Sequence, residues 1–137
     1  MTGRFIKQED IVRDTPDWGQ LGWICRPSLT GSTELCVMDV TINPGDGHAF
    51  HRHPDQEEII WVREGRVEQW LEQDKHELGP GEAVYIPKGV VHASFTVGDT
   101  AAKVAVILSP TAGEDGYAVE EVADQEPWAS LRPASST

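Results

Sequence analysis

The residues of this 137-residue chain best suited to chemistry are three histidines and a pair of glutamates. His51-Arg52-His53 places two imidazoles at i and i+2. On an extended strand such residues point to one face, so both rings can reach one ion. Glu57 and Glu58 follow, separated from His53 by the turn-like Pro54-Asp55, which can fold a carboxylate back toward the imidazoles. Alternation does not choose between them. Glu57 shares its face with Ile59 and Trp61, Glu58 with Ile60 and Val62, and both faces are apolar. A carboxylate buried on either face needs a cation or hydrogen-bond donors. The third histidine, His92, follows the turn Pro87-Lys88-Gly89 and opens an alternating strand with Ser94 and Thr96 on its own face. Spacing alone does not bring it to the others. His48 and His76 read as surface residues. Parity sets His48 on the face opposite His51, and His76 lies between Lys75 and Glu77.

The elements that must position these residues are short. Thirteen glycines and nine prolines punctuate runs rich in Val, Ile, Trp and Tyr, a pattern of many strands joined by tight turns. Candidate strands are 22–26, 34–42, 48–53, 57–63, 67–71, 83–86, 91–97 and 103–108. Residues 8–14 could form a short helix or an edge strand. No long amphipathic helix and no repeat are evident. The fold class is therefore all-β: a sandwich, jelly roll or barrel formed by one domain over residues 1–137, with its core barrel at about 22–110. An acidic tail, 113–137, keeps apolar points at Tyr117, Val119, Val122, Trp128 and Leu131. It is expected to pack outside the barrel, with residues 133–137 disordered.

Composition narrows the function. Eleven basic against 23 acidic residues give a formal net charge of −12, which disfavours nucleic acid and anionic membranes as partners. No apolar run is long enough to span a membrane, and the first ten residues turn acidic where a signal peptide would be apolar, so a cytoplasmic location is expected. The two cysteines, Cys25 and Cys36, then read as small core residues rather than a disulfide.

Two segments carry a family resemblance. Gly45-x5-His51-x-His53-x4-Glu58-x6-Gly65 resembles the first cupin motif, and Gly81-x5-Pro87-x-Gly89-x2-His92 resembles the second. Thr96 stands where the second motif usually ends in Asn, a position that is not a metal ligand. The resemblance implies a double-stranded β-helix, the cupin jelly-roll barrel, in which both motifs line one cavity. It implies that Glu58 rather than Glu57 joins His51, His53 and His92 as metal ligands. Three imidazoles and a carboxylate suit one divalent transition metal (Fe, Mn, Ni, Co, Cu or Zn) better than Ca²⁺ or Mg²⁺. An octahedral ion held by four protein ligands keeps two open positions.

The motif order is similar to that of small quercetin-dioxygenase-like cupins and unlike the His-x-Asp pattern of 2-oxoglutarate enzymes. An oxygen-using dioxygenase acting on a chelating enediol, flavonol-like or diketone substrate is the leading expectation, with Glu58 as ligand and base. A redox-neutral isomerase, lyase or hydrolase is the alternative, and a non-catalytic module binding a small molecule is a third. Tyr85, Ser94, Phe95 and Thr96 are candidate pocket-lining residues. The family resemblance further implies a homodimer, which the apolar segment Leu21–Cys25 could support.

Overall fold

The structure is a computed structural model that describes residues 3–132. The expectation of disorder at 133–137 lies outside the described residues. A 3₁₀ turn at Gln8–Asp10 leads into eleven strands: β1 (Val12–Asp14), β2 (Gly19–Cys25), β3 (Cys36–Ile42), β4 (Gly47–Arg52), β5 (Glu57–Glu64), β6 (Val67–Leu71), β7 (Asp74–Leu78), β8 (Ala83–Ile86), β9 (His92–Thr96), β10 (Ala102–Ser109) and β11 (Glu120–Glu121). Among the described residues two single-turn helices accompany them, α1 (Pro27–Thr30) and α2 (Trp128–Leu131). Pro27 opens α1, where its missing N–H is no loss, and Gly31 ends it with φ 72°.

The strands form two antiparallel sheets, in the orders β1-β2-β3-β10-β5-β8 and β11-β4-β9-β6-β7. They pack face to face as the double-stranded β-helix that the motifs imply. Strict alternation writes this arrangement. In β10, Ala102, Val104, Val106 and Leu108 are buried while Lys103 and Ile107 face outward. β3 and β5 obey the same rule, so the inner face of the six-stranded sheet is a continuous apolar surface. The five-stranded sheet is covered on both sides. Its outer face holds Phe50, Trp70, Ala93 and Phe95, and the chain after β10 returns to cover them with Val122, Trp128 and Leu131.

Several differences from expectation have simple causes. β7 consists of Asp74, Lys75, His76, Glu77 and Leu78, which carry no alternating signal. Only its backbone pairing with β6 makes it a strand, and its charges suit an exposed edge. The 8–14 segment is both alternatives in succession, a helical turn and then an edge strand. Within the segment Leu21–Cys25, Leu21 and Trp23 turn into the barrel core. Cys25 and Cys36 are free thiols, the second fully buried.

Leu108 has no exposed surface and is the last inward side chain of β10, between Cys36 and Glu58 in register. Leu108→Ala is expected to lower unfolding free energy by about 2–5 kcal/mol in urea titrations. A loss below about 1 kcal/mol would contradict its placement between the sheets.

Candidate metal centre

The four motif residues come from both sheets. His51 lies at the end of β4 and pairs with His92 at the start of β9. His53 follows immediately in the Pro54-Asp55 turn, whose backbone is pinned by Gly89 N–H donating to His53 O at 3.0 Å. Gly89 permits this with φ 75°, so the second motif's turn clasps the first motif's. Glu58 enters from β5 on the opposite sheet, its neighbours in register being Leu108 and Ile86. Glu58 is 5% exposed, whereas Glu57 faces solvent.

Each imidazole is oriented by a backbone carbonyl. His51 Nδ1 lies 2.7 Å from Ala49 O, His53 Nδ1 2.9 Å from Ala118 O, and His92 Nδ1 3.0 Å from Val90 O. A carbonyl can only accept, so each Nδ1 carries the proton and donates it. In the neutral rings the three Nε2 lone pairs are then bare, the arrangement a metal-ligating histidine needs. The potential ligating nitrogens of His51, His53 and His92 lie within 4.8 Å of one another. Glu58 Oε1 sits 3.2 Å from His53 Nε2 and 3.0 Å from His92 Nε2. These distances allow electrostatic attraction, yet neither Glu58 Oε1 nor His92 Nε2 has an aligned hydrogen-bond partner. Buried polar atoms are normally partnered. Two orphans 3.0 Å apart within a histidine cluster fit a cation-binding site, and the donor set suits a divalent transition metal.

The titration of the cluster follows from its burial. Burial, aided by the neighbouring His48, His92 and His53, drives the His51 pKa well below 6.5 and keeps that ring neutral. Burial also disfavours charge on His53, but its contact with the Glu58 carboxylate outweighs this and raises its pKa. Burial would raise the Glu58 pKa, yet the contacts with His53 and His92 dominate and lower it to about 2. Glu58 is therefore ionised throughout the neutral range.

A cavity opens beside the cluster. Its polar end is formed by His48, His51, His53, Glu58 and Ser94, and its wall by apolar side chains such as Leu21, Met38, Val40 and Val106. It holds about 40 Å³ of free space. Among the candidate pocket residues, Ser94 lines it and donates its hydroxyl to Gln69 Oε1 at 2.6 Å. The other three stand elsewhere. Tyr85 faces outward on β8, 52% exposed. Phe95 is on the outer face of the five-stranded sheet. Thr96 shares the His92 face but ties the 43–46 turn, donating to Asn43 O and Asp46 O. Three residues with no strong sequence signal take their place: Trp18, His48 and Tyr117. His48 corrects the parity reading. The β4–β9 register slips between His48 and His51, and this irregularity turns His48 onto the His51 side. Its ring stacks on His51 at 3.6 Å and under Trp18 at 5.0 Å, and its Nε2 meets Glu121 Oε1 at 2.9 Å.

This fold and site define a class: a small double-stranded β-helix with a buried cluster of three histidines and one glutamate. A model of the cupin domain matches residues 38–108, and the chain belongs to the cupin family. It is 28% identical to Protein SchB of Streptomyces halstedii, over 80% of this chain and 79% of that one. It is 30% identical to Polyketide synthase CurC of Streptomyces cyaneus, over 82% and 73%. Among solved structures, KdgF from Halomonas sp. superposes with a TM-score of 0.72 at 23% identity, covering 83% of this chain and 99% of that one. Oxalate decarboxylase from Bacillus subtilis superposes with a TM-score of 0.76 at 15% identity, covering 90% and 32%. These last two likenesses are of fold.

In metal-free protein, histidine NMR titration is expected to place the His51 midpoint well below 6.5 and the His53 midpoint above it. The reverse order would contradict the pairing of His53 with Glu58.

Proposed function

We propose that the chain is a metal-dependent enzyme of dioxygenase type, with His51, His53, Glu58 and His92 as ligands, acting on a small enolisable molecule that chelates through two oxygens. The observation that carries this reading is the convergence of three bare imidazole nitrogens and an unpartnered, ionised carboxylate at the end of an apolar cavity. A bound ion would supply Lewis acidity at its open positions and, if redox-active, a path for electrons between substrate and O₂.

The chain's own residues narrow the substrate. Three neutral imidazoles and one carboxylate around a dication leave a single net positive charge. A monoanionic enolate or phenolate neutralises it, and among the described residues no Lys or Arg lines the cavity to balance a second negative charge. Aliphatic side chains opposite the ligands favour a hydrocarbon body. Glu58, held as a carboxylate, is positioned to accept the substrate's proton as well as to bind the ion. The name of the CurC relative supports the same chemistry, because polyketides are β-carbonyl chains and phenols, which enolise and chelate.

Protein purified without chelators is expected to hold about one transition-metal ion per chain by elemental analysis, and His92→Ala to lose most of it. Wild-type metal content in His92→Ala would refute the four-ligand assignment. After reconstitution with iron, nickel or manganese, oxygen uptake is expected with β-diketones or phenols. Turnover of such compounds without oxygen would instead establish the redox-neutral isomerase, lyase or hydrolase reading.

A further inference from the structure

His53 differs from the other two imidazoles in what holds it. His51 and His92 each donate to a carbonyl two residues earlier in the chain, at Ala49 and Val90. Those contacts are local and survive wherever the local backbone is formed. His53 donates to Ala118, sixty-five positions away, in the segment that follows β10. Residues 110–122 form a strap past the histidine cluster. It carries Tyr117 against the His53 ring at 5.5 Å and ends in β11, which pairs with Arg52 and His51.

One side chain ties the strap down. Gln56 is 2% exposed, in the turn between His53 and Glu58. Its amide Nε2 donates to Pro110 O at 2.7 Å and to Gly116 O at 2.9 Å, and its Oε1 accepts from Ala118 N–H at 3.1 Å. Both amide protons are used. Gln56 thus fixes the N–H of the residue whose carbonyl orients His53. We infer that Gln56 is a positioning residue: it latches the 110–122 strap, and through Ala118 the strap holds His53 in its ligating orientation. This rests on His53 being a metal ligand, as proposed above. It also gives the strap a consequence for ligand entry. With the strap seated, the cavity has about 40 Å³ free, room for a few waters. A molecule that pushes Tyr117 aside moves the same segment whose Ala118 carbonyl orients His53.

Two substitutions break the latch from opposite sides. Gln56→Ala removes the side chain. Gly116→Ala leaves Gln56 intact but forces the strap away, since its Cβ would lie 2.6 Å from Cys36 Sγ and 2.9 Å from Arg26 Cβ at a φ of 100°. Both full-length variants are to be measured at a temperature where circular dichroism shows them folded. Co²⁺ affinity, read from its visible spectrum, is expected to fall about 10–100-fold in each. Limited proteolysis is expected to cut within 110–122 faster than in wild type. In ¹⁵N NMR of the metal-free variants, the His53 Nδ1–H signal is expected to broaden by exchange while those of His51 and His92 persist, a pattern that general loss of stability would not give. Wild-type Co²⁺ affinity in both variants, or wild-type protection of the strap in Gln56→Ala, would overturn the inference. Should Gln56→Ala not fold, Gly116→Ala decides through the same readouts. Failure of the wild type itself to bind Co²⁺ would remove the metal reading, and this inference with it.

Discussion

Glu58 is 5% exposed on an inner strand of an apolar sheet, where taking an ionised carboxylate out of water costs several kcal/mol unless it is compensated. Its attraction to His53 and His92 exceeds that penalty, which is why its pKa falls to about 2 rather than rising. Yet Oε1 has no aligned donor. In the neutral, Nδ1-protonated rings the facing Nε2 atoms offer it no proton, and that deficit organises the rest of the site. Compensation must come from across the barrel, because every inward neighbour of Glu58 on its own sheet is aliphatic. The three histidines accordingly stand on or beside the facing sheet. Their Nδ1 protons are spent on carbonyls, so none of the rings can satisfy Glu58 by turning round.

The same constraint explains the unequal treatment of the two sheets. The six-stranded sheet presents hydrocarbon inward and leaves Trp61, Tyr85 and Ile107 exposed outside. The five-stranded sheet carries polar groups inward, including Gln69, Ser94 and the histidines, and so has less inner apolar area to bury. Its outer face makes up the difference. Phe50, Trp70 and Phe95 pack beneath the returning chain, and Arg132 closes over Phe95 at 3.6 Å. The C-terminal segment therefore serves both stability and the site, since the stretch that reaches this outer cluster first passes His53 at Tyr117 and Ala118.

Much of this was legible from residue types. Strands such as β3, β5 and β10, apolar runs rich in Val and Ile bounded by turn residues, follow from their sequences, as does the all-β class. The grouping of His92 with His51 and His53 was not readable from spacing and came from the family resemblance alone. What stayed hidden depends on backbone irregularity or on distant partners. His48 was misplaced because one slipped register reverses parity. Tyr85 and Phe95 were misplaced because strand facing was uncertain without the sheet partners, and Thr96 because its shared face with His92 says nothing of depth along the barrel. Gln56 gave no signal, since a glutamine in a turn is ordinarily solvated. Its partners are the carbonyls of Pro110 and Gly116 and the N–H of Ala118, and backbone groups leave no mark in residue type.

The cavity wall has a double duty that bears on how substrate choice can change in such a barrel. Leu21, Met38, Val40, Val104 and Val106 line the cavity and also belong to the main hydrophobic core. Enlarging the pocket by trimming any of them removes core packing, at roughly 1–4 kcal/mol for each large-to-small change. The strap carries less of this burden. Tyr117 is only partly buried and meets the core from its edge, its ring edge-on to Trp23 at 5.1 Å, so replacing it alters the cavity wall while removing a peripheral core contact rather than an interior one. Trp18 and His48 are likewise only partly buried on the same wall. Fold neighbours such as the oxalate decarboxylase share the barrel at 15% identity, and the barrel alone does not fix what is bound. In this chain the deep wall is buried core while Trp18, His48 and Tyr117 are only partly buried, so a change in what the cavity admits costs least packing at those three positions.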